Sequence, residues 1–582
     1  MNFLKTLMAV LVGLILYTGI MFFVLLGFIS IATQEEEVKV KENSVLKLNL
    51  NRPILERAID DPFGIPFFSI PIESTSGLVE LKRAISNAKD DPRIKGIYLE
   101  APFVITGFGK LEELRKAIED FKTSGKFVIA YSDFYTEGGY YISTIADEIY
   151  VNPIGIFEFN GLSAEITFYK EMLAKLEVDP VIFRVGDYKS AVEPFLRSNM
   201  SEENREQYKS FINSIYAEII NKMAESRRIS PQVLRQMSDD LEIRLVLNAK
   251  ERGLVDDLIY QDQVFDIIRD KIGITDDKEI NFISANRYHK SIKSKYSQNK
   301  IAVIVASGEI VMGRGEQDMV GAEVFVKEIR QAKDNNRIKA IVLRINSPGG
   351  NYIASDILWR EIKQAAKIKP VIASLSDYAA SGGYYLAMAC DTIVSDYSTI
   401  TGSIGVFRIQ FTIQDFLKNK LGITSDRVNT GNYSDMNSVL RPMTDAERQI
   451  IQNEVDEVYE VFVSKAAEGR GLSEDSIRKI AGGRVWTGAQ ALENGLVDLL
   501  GNFEDAVKLA AQIAGVENDY SIVYYPEQKS LLEEILYEMG NEAEVKFLKQ
   551  EMGILYPYVE QLKKLEYLQG IQARMPAELT IY

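Results

Sequence analysis

The hydrophobic pattern of the chain changes character after its first few dozen residues. From Thr6 to Ala32 it is almost wholly apolar, a run of about 27 residues, long enough to span a bilayer with some tilt. Lys5 precedes the run and Glu35-Glu36-Glu37 follows it. The pattern predicts an N-terminal transmembrane anchor over residues 1–34, with the N-terminus in the cytoplasm and everything after it on the outer face. A cleaved signal peptide is the other reading, but the run is longer than a usual signal core and no small-x-small site follows it.

Beyond the anchor, helical and strand periods alternate. Leu78, Leu81, Ile85 and Ala88 recur at helical spacing, as do Val324, Ile329 and Ala332 further on. Each helix leads into a β-rich run, Ile97-Tyr98-Leu99 or Ile341-Val342-Leu343-Arg344-Ile345. Lys126-Phe127-Val128-Ile129-Ala130 and Pro370-Val371-Ile372-Ala373 come after intervening helices. That alternation predicts βα units with mostly parallel strands. Ser201, followed by Glu202 and Glu203, and Thr444-Asp445-Ala446-Glu447 read as helix N-caps, the second as a capping box.

The pattern then repeats. Asp91-Pro92-Arg93-Ile94-Lys95-Gly96-Ile97 returns as Asn335-Asn336-Arg337-Ile338-Lys339-Ala340-Ile341, 244 positions on. Ser132-Asp133-Phe134-Tyr135-Thr136-Glu137-Gly138-Gly139-Tyr140-Tyr141 returns at the same offset as Ser376-Asp377-Tyr378-Ala379-Ala380-Ser381-Gly382-Gly383-Tyr384-Tyr385. Glu251-Arg252-Gly253-Leu254-Val255-Asp256 matches Glu493-Asn494-Gly495-Leu496-Val497-Asp498. One domain is present twice: a first copy over 45–283, a polar linker over 284–299 and a second copy over 300–527. An acidic, Leu/Tyr-rich tail, 528–582, lies outside the repeat and reads as helical.

Charge and composition narrow the function. A formal net charge of -16 without clustered Lys and Arg argues against a nucleic-acid partner. The single cysteine, Cys390, excludes an internal disulfide, and the single histidine, His289, falls in the linker. Ser-His-Asp and Cys-His catalysis and zinc sites of Cys and His are disfavoured on that ground. No cofactor or metal is called for.

The two copies differ where chemistry would sit. Ser381, in Ala-Ala-Ser-Gly-Gly, has the small neighbours and adjacent N–H that a nucleophile needs, whereas the first copy has Glu137 at that position. Asn346-Ser347-Pro348-Gly349-Gly350 aligns with Pro102-Phe103-Val104-Ile105-Thr106, so only the second copy keeps a glycine turn whose backbone can approach a carbonyl. Conversely Gly186-Asp187-Tyr188-Lys189 aligns with Gly431-Asn432-Tyr433-Ser434. A serine without a histidine needs another base, and a lysine kept neutral by burial is the common one. This complementary loss points to one composite site, with Ser381 from one copy and Lys189 from the other.

Together, Asn-Ser-Pro-Gly-Gly at 346–350, Ala-Ala-Ser-Gly-Gly-Tyr at 379–384, Ile400-Thr401-Gly402-Ser403-Ile404-Gly405, Val485-Trp486-Thr487-Gly488 and Tyr188-Lys189-Ser190-Ala191-Val192-Glu193-Pro194-Phe195 resemble the signal peptide peptidase A family in its long bacterial form. The resemblance implies an α/β fold, a tandem duplication of a Clp-protease/crotonase-like spiral βα domain. It implies a serine endopeptidase with Ser381 as nucleophile, Lys189 as general base and Ser403 aiming the lysine amine. The oxyanion donors would be the N–H of Gly382 and one from Gly349-Gly350, with Gly350 preferred. It also implies a homotetramer in the bacterial inner membrane, its catalytic domains on the periplasmic side, degrading signal peptides left in the membrane. A general envelope quality-control protease would share this chemistry. A crotonase-like acyl-CoA enzyme fits the outward anchor poorly, and a catalytically inactive scaffold fits poorly with retention of both Ser381 and Lys189.

Overall fold

The computed structural model describes residues 13, 14, 16–21, 38–58, 75–275, 278–293, 296–316, 318–527 and 570–575. Most of the apolar run Thr6–Ala32 lies outside them, and among the described residues no helix is long and apolar enough to cross a membrane.

Each copy is built on a sheet, and the β-rich runs at Ile97–Leu99, Phe127–Ala130, Ile341–Ile345 and Val371–Ala373 all fall in its strands. In the first copy the strand order is Asp257–Leu258, Glu148–Phe157, Phe127–Tyr135, Ile94–Glu100, Ser44–Asn49 and Asn281–Ser284, all parallel. In the second copy it is Val485–Thr487, Ile400–Gly402, Val371–Ala380, Ile338–Ser347, Lys300–Ser307 and Ser521–Tyr525, with only the Val485–Thr487 edge antiparallel. The near-continuous apolar content of Ile338–Ser347 follows from burial on both faces, as parallel strands covered by helices require. Helix Leu78–Asp90 buries Leu78, Leu81, Ile85 and Ala88, and helix Ala322–Asp334 buries Phe325, Ile329 and Ala332. Ser201 accepts from the N–H of Asn204, and Thr444 forms a reciprocal capping box with Glu447.

The repeat is visible in matching contacts. Tyr140 Oη donates to the Leu254 carbonyl at 2.8 Å, and Tyr384 Oη to the Leu496 carbonyl at 2.9 Å. Lys126 Nζ reaches the carbonyls of Ala88 and Asp91, and Lys369 Nζ those of Ala332 and Asn335.

A third sheet joins the copies. Strand Asp179–Arg184 of the first pairs antiparallel with Phe407–Thr412 of the second, Arg184 opposite Phe407 and Asp179 opposite Thr412. Two expectations are corrected. The stretch 284–299 is not wholly linker, since it contains the helix Ala285–Lys290, capped by Ser284, to which Asn286, Arg287, His289 and Lys290 belong. The tail is not helical where it is described: Ile571–Arg574 is a strand. The remainder of the tail lies outside the described residues.

Candidate active site

Ser381 lies between strand Val371–Ala380 and helix Gly382–Ala387, with φ 54 and ψ -110. A side-chain-bearing residue rarely adopts that conformation, and such strain concentrates at functional sites. The small neighbours permit it: the Ser381 N–H donates to the Gly402 carbonyl at 2.8 Å, and the Ser381 carbonyl accepts from Tyr385 N at 2.8 Å.

Lys189 arrives from the other copy. It follows strand Asp179–Arg184, which the Phe407–Thr412 pairing holds against the second copy. A Cβ added at Gly186 would lie 2.3 Å from the Gly482 carbonyl oxygen, and one at Gly483 would lie 2.6 Å from Lys189 Cα. The loop therefore nests directly on a bare glycine turn, with Tyr188 N donating to the Gly482 carbonyl at 3.1 Å. Gln207 holds it from behind, donating to the Tyr188 carbonyl at 3.1 Å and to Ser190 Oγ at 2.8 Å.

The two side chains meet. Lys189 Nζ is 2.9 Å from Ser381 Oγ, 3.1 Å from Ser403 Oγ and 3.1 Å from the Ser403 carbonyl. Lys189, Ser381 and Ser403 are each 0% exposed. Among the described residues no carboxylate forms an ion pair with Lys189, and burial alone pushes its ammonium well below the ordinary lysine value of 10.5. A neutral amine is both a hydrogen-bond donor and a proton acceptor. The arrangement can therefore take a proton from a serine hydroxyl.

The glycine turn lies beside this pair. A Cβ at Gly349 would be 2.7 Å from Gly382 N, so the two backbones touch. The N–H of Gly349 is donated to Ser347 Oγ at 3.2 Å, which leaves Gly350 and Gly382 as the glycines whose N–H groups no side chain takes among the described residues. His289 is elsewhere, in helix Ala285–Lys290, which packs against helix Leu78–Asp90.

Residues 120–275 and 363–517, together more than half of the chain and one segment in each copy, match Peptidase family S49. The chain belongs to peptidase family S49. It is a serine peptidase of the long, tandem-domain form. It is 36% identical to Protease 4 of Haemophilus influenzae, over 83% of this chain and 82% of that protein. It is 31% identical to the chloroplastic serine protease SPPA of Arabidopsis thaliana, over 92% of this chain and 78% of that protein. A putative signal peptide peptidase SppA of Enterococcus faecium is 31% identical over 39% of this chain and 67% of its own length.

In this S49 peptidase the first copy's equivalent position is closed. Glu137 stands where the second copy has Ser381, and its carboxylate accepts the N–H groups of Asn160 at 3.0 Å and Gly161 at 2.7 Å. Burial pushes that carboxyl up. Buried charges then clamp the copies together. Arg344 pairs with Glu56 at 2.8 Å and Glu113 at 2.7 Å, and Lys110 with Asp377 at 2.7 Å. Lys82 bonds Glu113 as well. Asp377 lies four residues before Ser381, so this network braces the serine strand.

Sequence reasoning missed Gly482, Gly483 and Gln207. The only signal was a Gly-Gly pair directly before Arg484 and Val485-Trp486-Thr487-Gly488. Among the described residues no group of His, Cys, Asp and Glu is arranged to hold a metal.

Proposed function

We propose that this S49 peptidase works through a Ser381–Lys189 dyad assembled from both copies. The observation that carries the reading is the 2.9 Å contact between Ser381 Oγ and the amine of a fully buried lysine that has no countercharge among the described residues. Neutral Lys189 takes the Ser381 proton as Oγ bonds to the scissile carbonyl carbon. The N–H groups of Gly382 and Gly350 hold the oxyanion. Lys189 then returns the proton to the leaving amine as the C–N bond breaks. Water repeats the cycle on the acyl ester and releases the acid. Ser403 Oγ keeps the amine aimed at Ser381.

The substrates we propose are signal peptides remaining in the membrane after secretion. Their apolar cores suit a base that functions only when desolvated, and the Enterococcus relative carries that description in its name. The apolar run Thr6–Ala32 would anchor the chain, with both copies on the periplasmic side of a bacterial inner membrane. We propose further that the chain forms a homotetramer, in which another copy would cover the exposed apolar side chains Leu421, Ile423, Val428 and Val439 of the second copy.

The test is cleavage of a synthetic signal peptide by detergent-solubilised full chain, with folding of each variant checked by thermal melting. Ser381→Ala and Lys189→Ala should each lower kcat by about 10³-fold or more. Undiminished cleavage by Lys189→Ala would contradict the dyad.

A further inference from the structure

The strand Ile571–Arg574 is seated in the site just described. It pairs antiparallel with Gly349–Asn351 on one side, Gly350 opposite Ala573 and Asn351 opposite Gln572. On the other side it pairs antiparallel with Phe407 and Arg408. Met575 N donates to the Pro348 carbonyl at 2.8 Å. The alternation of an antiparallel ladder makes Gly350 and Ala573 the next hydrogen-bonded pair. A Cβ at Gly349 would lie 2.1 Å from the Ala573 carbonyl oxygen, and one at Gly382 would lie 3.0 Å from the same atom. A peptide carbonyl of this chain therefore occupies the ground between Gly350 and Gly382, where the oxyanion of a substrate would form.

Strand addition on both edges is how an extended peptide is gripped by main-chain bonds while its side chains are read in pockets. Ala573 is 0% exposed and its side chain lies in the apolar core of the second copy, so a larger side chain would have to displace its neighbours. Arg574 Nη1 lies 3.2 Å from Glu309.

We propose that residues 571–575 are a built-in peptide that occupies the substrate groove and holds the chain's own site closed. We infer further that the groove takes an extended peptide with a small residue followed by a basic one. The proposal rests on the dyad reading for the location of the groove. A tethered segment competes at an effective concentration in the millimolar range, and an incoming peptide binds more weakly by the fraction of molecules whose groove is free.

Binding, rather than cleavage, tests it. The probe is the fluorescein-labelled peptide Gly-Ile-Gln-Ala-Arg-Met, measured by anisotropy against full chains that all carry Ser381→Ala. Adding Ala573→Trp, too bulky for its site, or Gln572→Pro, which removes an N–H from the doubly paired residue, should tighten probe binding at least tenfold. Hydrogen exchange should show the amides of residues 349–351 and 407–408 losing protection while the rest of both sheets keeps it. A probe with Trp in place of Ala should not bind. Equal binding in all three chains would overturn the proposal. So would loss of protection throughout both sheets, which would make the strand a part of the fold rather than an occupant. Because no step requires catalysis, failure of the dyad would show in the cleavage test and not in this one.

Discussion

Lys189 is the residue on which the account turns, and its burial has a thermodynamic signature. Above about pH 10.5 the lysine is neutral in both folded and unfolded chains. As pH falls from 10.5 toward its lowered folded value, the unfolded chain binds a proton that the folded chain refuses, so stability falls. Below the folded value the cost is constant. Lys189→Met fills the same space without that cost. It should abolish cleavage yet raise stability at pH 7 and flatten the dependence of the urea midpoint on pH between 7 and 10. For activity the sign is the same: kcat/KM should rise with pH as the amine deprotonates, with its midpoint well below 10.5. Both positions were legible because the duplication supplied a comparison within the chain. A serine facing Glu137 and a lysine facing Ser434 stand out only when the copies are aligned.

At the scale of elements, the glycine turn at Gly482-Gly483 sets where the lysine loop rests. Gly483 has φ 83, and a Cβ there would lie 2.6 Å from the backbone nitrogen and Cα of Lys189. Gly483→Ala should displace Lys189 from Ser381 and lower kcat about 10- to 100-fold, because a shift on the order of 1 Å costs that much in a positioned site, and should also lower the melting temperature, since alanine is strained at that φ. This turn was not legible. A Gly-Gly pair marks any tight turn, and its meaning here comes from a loop almost three hundred positions earlier in the chain. The strand Ile571–Arg574 was missed for a different reason. Four residues paired on both edges show neither alternation nor a helical period. By contrast the βα units were readable, since long parallel strands buried on both faces write continuous apolar runs into the sequence.

At the scale of the whole molecule, the site exists only while the two copies keep their relative position. The strand pairing of Asp179–Arg184 with Phe407–Thr412 and the buried charges around Arg344 both fix it. Removing one partner of a buried ion network leaves the others unpaired, which typically costs about 3–5 kcal/mol. Arg344→Ala should therefore lower the unfolding free energy measured in urea by that amount and reduce cleavage, while Arg344→Lys, retaining charge without the guanidinium fork, should fall between. Lys82, Lys110 and Glu113 are buried and pair with Glu504, Asp377 and Arg344 of the second copy, contacts that a charged residue at a helical position does not announce in the sequence.

The most direct measurement of the central claim is the rate at which a fluorophosphonate labels the full chain, followed by intact mass from pH 5 to 10. Labelling joins Ser381 Oγ to phosphorus, expels fluoride and passes the hydroxyl proton to Lys189. The account predicts one label per chain on Ser381, a rate that climbs with pH through a midpoint well below 10.5, and labelling slowed by about 10³-fold or more in Lys189→Ala. Labelling at another residue, or an equal rate in Lys189→Ala, would contradict it.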